Sequence, residues 1–186
     1  MTMDPSPDVD RERVELSRRA YEAMAASLDP SPPNLIPSFR IWHYPAAGPQ
    51  LSWVVFQARA DDPLDQVPRV RCVRWDRDAD LERLALAHKR RRNPAPSIRI
   101  SEADLDPKIL AEHVAKVKAF SAPRSSMGHP YLSDHHPEFG LEGFDVEGND
   151  GWPIVRIEWE RDPDLTLSRL AKWAEGVRSW LRGVLS

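Results

Sequence analysis

Three apolar runs in close succession, SFRIWHY (38–44), LSWVVFQAR (51–59) and VPRVRCVRW (67–75), constrain this chain more than any other feature. Each is dense in β-branched and aromatic residues, and the breaks between them, PAAGPQ and DDPLDQ, are built of turn formers. Short connections between strands favour antiparallel neighbours, so the runs predict a β-meander. In the third run Val70 and Cys72 fall on one face, and Arg69, Arg71, Val73 and Trp75 on the other. That second face is mixed in character and is expected to stay wet.

Further strands are expected from SIRI (97–100), LEGFDVEG (141–148) and PIVRIEWE (153–160). The last two form a hairpin around GNDGW, in which Val155, Ile157 and Trp159 alternate with Arg156, Glu158 and Glu160. Helical spacing marks three other segments. The first runs from Asp8 to about Leu28, with Val9, Leu16, Ala20, Ala23, Met24 and Leu28 recurring among charges. The second opens with Asp106 as N-cap and Pro107 at the first helical position, followed by the stripe Ile109, Leu110, Val114, Val117. The third starts at Asp164 and carries Leu170, Trp173, Val177, Trp180 and Val184 at spacings of three and four. In DRDADLERLALAH (76–88), the leucines at 81, 84 and 86 satisfy neither period, which leaves helix and strand both open.

These elements imply an α+β fold: an antiparallel sheet of about five or six strands, with the middle and C-terminal helices packed on one face. A chain of 186 residues suits one domain, 1–186, with an N-terminal helix and proline-rich arm over 1–37 appended to an α+β core over 38–186. Eighteen prolines against eight glycines fall mainly between the apolar segments and serve as punctuation. The N-terminus has no apolar stretch of the signal-peptide kind, and no run reaches the length of a membrane span, so the expected location is the cytoplasm, with no membrane partner. Cys72 is the only cysteine and reads as a small core residue.

From FGLEGFDVEG through PIVRIEWERDP to a tryptophan-bearing helix ending in WL, the C-terminal third resembles an uncharacterised group of bacterial domains. In that group a long loop leads into a Leu-Asp-Gly strand. The resemblance extends back through SIRISEADLDPKILAEHVAKV, with Glu142 standing where the group has aspartate before Gly143. It implies a fold, and no activity.

Three constellations could carry function. The segment SAPRSSMGHPYLSDHHPEFG reads as a long surface loop holding His129, Asp134, His135, His136 and Glu138, ligand types for a divalent metal. Adjacent His135 and His136 diverge on extended backbone, however, and the helical His-Glu-x-x-His arrangement is missing. Lys89, Arg90, Arg91 and Arg92 could contact phosphates, although a net charge of −3 and the lack of interleaved aromatics argue against a nucleic-acid site. Trp42, Tyr44, Trp53 and Trp75 on the strands would form a recognition platform wherever the sheet left them exposed. No phosphate-cradling glycine motif or nucleophile elbow is present, and no cofactor is expected beyond the metal that the histidine loop would take. The functional expectation is a non-enzymatic binding protein, immunity-like or regulatory, acting on another protein. The alternatives are a metal-dependent hydrolase built on the 129–138 loop and a nucleic-acid binder built on the 89–92 run.

Overall fold

The computed structural model describes residues 7–58, 66–88, 94–118, 139–144, 153–159 and 168–186. Its elements are α1 (Pro7–Leu28), β1 (Ile36–His43), β2 (Gln50–Gln57), β3 (Arg69–Trp75), α2 (Arg77–His88), β4 (Ile98–Asp104), α3 (Pro107–Lys118), β5 (Phe139–Phe144), β6 (Pro153–Trp159) and α4 (Ser168–Val184). The six strands form one sheet in the order β4-β3-β2-β1-β5-β6, and every neighbouring pair is antiparallel. The expected meander is its central part, β1-β2-β3.

Alternation along β2 divides the interior in two. Trp53 and Val55 point into one core with Phe39, Ile41, Val70, Cys72, Leu105, Leu110 and, from α4, Trp173, Val177 and Leu181. Val54 and Phe56 point into the other, with Trp42, Tyr44, Val73, Trp75, Leu84 and, from α1, Leu16, Ala20, Met24 and Leu28. The sheet is therefore sandwiched, with α3 and α4 on one face and α1 and α2 on the second.

This corrects two expectations. The mixed face of β3 is not wet, because Val73 and Trp75 are fully buried beneath the N-terminal part of the chain. Nor is α1 an appendage: its Tyr21 ring sits 5.5 Å from Tyr44 and 5.7 Å from Trp75. Arg71 ties the helix down. It donates to the Ser27 carbonyl at 3.2 Å and the Pro30 carbonyl at 2.5 Å, and its guanidinium lies 5.4 Å from the Phe56 ring centre. The last turn of α1 has no basic residue of its own, so a sheet arginine supplies the donor its carbonyls lack.

The ambiguous 76–88 segment is helical, and its anchor is a carboxylate more than its leucines. Leu84 is buried while Leu86 is exposed. Asp80, only 1% exposed, accepts from Trp75 Nε1 at 2.9 Å, from the Ser97 backbone N–H at 2.6 Å and from Arg83. One side chain thus joins the end of β3, the body of α2 and the approach to β4. At the helix start Asp78 accepts from the Gly48 N–H at 2.7 Å, where Gly48 turns with φ 90° between β1 and β2. The expected cap of α3 is present: Asp106 Oδ1 accepts from Lys108 N at 2.8 Å.

On the α3/α4 face the fastening is aromatic. Phe39 meets Trp173 edge-on at 6.0 Å, His113 stacks on Trp180 at 4.8 Å, and His43 stacks on Phe139 at 4.6 Å. Across β1 and β5, Gly140 lies directly beneath the Trp42 indole, and a Cβ there would come within 1.8 Å of the ring. Glycine is required at that position by close approach.

Candidate functional site

The four aromatics expected to form a platform are interior. Trp53 belongs to the α3/α4 core, whereas Trp42, Tyr44 and Trp75 belong to the α1/α2 core. The reason is the second helical layer: with both faces covered, the strand aromatics are used in packing, and even the indole N–H of Trp75 is taken by Asp80. The proposed metal ligands His129, Asp134, His135, His136 and Glu138 lie outside the described residues, as do Lys89, Arg90, Arg91 and Arg92. Among the described residues no group of three or more His, Cys, Asp or Glu side chains could hold a metal ion, and no helix is long and apolar enough to cross a membrane. Cys72 is buried; desolvation pushes its thiol up to about 11 against the opposing pull of Arg182 and Arg74, which makes it a poor nucleophile.

What the two-sided packing leaves open is an edge. β4 ends the sheet, pairs along its whole length with β3, and has no strand on its outer side among the described residues. Its four central residues, Arg99 to Glu102, are all exposed, with Ile100 at 55%. The pairing runs without a bulge from Arg69↔Asp104 to Trp75↔Ile98, so the edge is regular. Edge strands with unpaired N–H and C=O groups are templates for a further strand, and proteins commonly blunt them with charge or irregularity. Here regularity is kept and charge is placed selectively.

The two faces of this edge differ. On the α1 side the charges are balanced: Arg71 Nε meets Glu102 at 2.5 Å and Arg69 Nε meets Asp104 at 3.0 Å. On the α4 side Arg74 and Arg99 are direct partners on the ladder, two cations facing each other across strands, an arrangement that is unfavourable by itself. Asp76 bridges them, at 2.6 Å from Arg74 Nη2 and 3.3 Å from Arg99 Nη2. Exposed Arg182, at the end of α4, lies over the Trp53 ring at 5.8 Å and, like Arg74, acts on the Cys72 thiol. Two arginines thus share one carboxylate, and Arg182 has no carboxylate partner among the described residues. The Arg99 side chain is 74% exposed.

A second polar cluster is closed. Arg40 donates to Ser52 Oγ at 2.9 Å and Tyr44 Oη at 3.0 Å, and lies 3.6 Å from the buried carboxylate of Glu142. Burial opposes its charge, but Tyr44, Glu142 and Asp29 outweigh that and hold the guanidinium above its ordinary range. With all three guanidinium nitrogens facing a partner, this cluster locks β1 to β2 and β5 and offers little to a ligand.

Sequence reading missed the arginine-lined edge because Arg74 and Arg99 are separated by α2 and its connections. Only the β3–β4 register brings them together. Comparison with protein-family models, with curated proteins and with solved structures gives no match.

Proposed function

We propose that this is a non-enzymatic binding protein that captures an extended segment of a partner protein by strand addition along β4. The observation that carries the reading is the bulge-free outer edge of β4, with exposed Ile100 at its centre. Main-chain hydrogen bonds to such an edge supply affinity, and side chains on alternate positions supply selectivity. The burial of Trp42, Tyr44, Trp53 and Trp75 moves the expected interaction surface from the sheet face to its edge.

The test uses ten-residue peptides selected from a random display library on the immobilised full chain. Each selected peptide is resynthesised with N-methyl groups on alternate amides, in both phases. Strand addition predicts that one phase abolishes binding and the other leaves it nearly intact, because only every second amide faces the protein. If both phases bind equally, or if no peptide is enriched, the reading is wrong.

A further inference from the structure

We infer that the segment captured by β4 carries an acidic residue between two apolar ones, with the carboxylate set against Arg99; this rests on the strand-addition reading. The chemistry follows from alternation. Ile98 and Ile100 share the α1 face of β4, whereas Arg99 projects from the α4 face beside Arg74. An antiparallel strand laid on this edge places its own alternate side chains next to Ile98, Arg99 and Ile100 in turn. The outer two meet exposed or half-buried isoleucines, and the middle one meets two guanidinium groups sharing the single carboxylate of Asp76. A carboxylate at that point would relieve the opposed Arg74–Arg99 pair; a lysine would add a third cation.

The same pattern argues against a second copy of this chain as the occupant. β4 itself reads apolar–basic–apolar at 98–100. In a two-fold antiparallel pair both Arg99 side chains would lie on one face of the joined sheet, so arginine would add to arginine without an acidic counterpart. Charge of this kind is how edges are kept from pairing with themselves.

Two otherwise identical ten-residue β-prone peptides, one centred on Val-Glu-Val and one on Val-Lys-Val, are titrated by fluorescence anisotropy against the full chain and its Arg99→Glu variant. The wild-type chain is expected to prefer the glutamate peptide by about fivefold, the size of a cross-strand ion pair. That preference should shrink at high salt. Arg99→Glu is expected to invert it, a rescue that a merely structural role for Arg99 would not give. Circular dichroism checks that the variant folds, and Arg99→Ala, expected to level the two affinities, replaces it if it does not. Equal binding of both peptides to the wild-type chain overturns this inference and leaves strand capture standing. Binding of neither removes both. Sedimentation of the wild-type chain as a dimer that Arg99→Glu disrupts would assign the edge to self-association and overturn the inference as well.

Discussion

β2 and β4 are both regular strands of one sheet, two positions apart, and they are used in opposite ways. β2 has a neighbour on each edge and a helical layer on each face, and all but two of its eight residues are buried. β4 has a neighbour on one edge among the described residues, and none of its seven residues is buried. The difference lies largely in position, since both strands carry β-branched residues. An interior strand devotes its side chains to stability, whereas an edge strand keeps backbone and side chains available for something outside the molecule. The proposed capture of a partner strand by β4 rests on that difference.

The comparison can be broken by mutation. The largest effect is expected in β2: Trp53→Ala empties a site that is 1% exposed and should cost about 3–5 kcal/mol in a urea melt. A loss below about 1 kcal/mol would contradict the burial described for β2. Next comes the polar fastening that sets β4 in place. Asp80→Ala leaves the Trp75 indole and the Ser97 N–H without their acceptor and should cost about 2–3 kcal/mol. Gly140→Ala forces the Trp42 ring aside and should cost about 1–3 kcal/mol. The smallest effect belongs to the edge: Ile100→Ala should change stability by no more than about 0.5 kcal/mol while weakening peptide capture.

A pH titration sharpens the same contrast. Burial opposes the charge of Asp80, but the Ser97 N–H, the Arg83 guanidinium and the Trp75 indole outweigh it and hold the carboxyl below its ordinary 3.8. The unfolded chain then takes up that proton more readily than the native one, so the contribution of Asp80 is complete above pH 3.8 and is lost as the pH falls through the native value. His113 acts in a higher window. Burial, and secondarily the charge of Lys116, lower its pKa from 6.5, and its Nδ1 has no hydrogen-bond partner among the described residues. Stability should therefore begin to fall below pH 6.5, and this limb should be absent in His113→Phe while the acid limb of Asp80 remains.

The antiparallel α+β architecture was legible because strand alternation and helical stripes are local signals, as in Val70 and Cys72 against Val73 and Trp75. The second buried face was not. Arginines 69 and 71 read as solvent-facing, yet Arg71 covers Phe56 with its guanidinium and donates to the carbonyls of Ser27 and Pro30. An arginine can lie along apolar surface and still satisfy its charge, and alternation does not distinguish that from exposure. The helical character of 76–88 stayed open for a related reason: its anchor is the buried carboxylate of Asp80, which a search for apolar period does not register. The edge itself was half legible. SIRI reads as a strand, but which strand lies outermost, and which arginine opposes Arg99, depends on a pairing across more than twenty residues of intervening chain.

Residue-resolved amide hydrogen exchange on the full chain tests the central claim most directly, because it reports whether the outer side of β4 is open. The account predicts slow exchange throughout β2 and β3 and an alternating pattern in β4, in which amides directed at β3 are protected and outward amides exchange rapidly until a captured peptide protects them. Uniform protection of β4 in the free protein, matching that of β2, would contradict it.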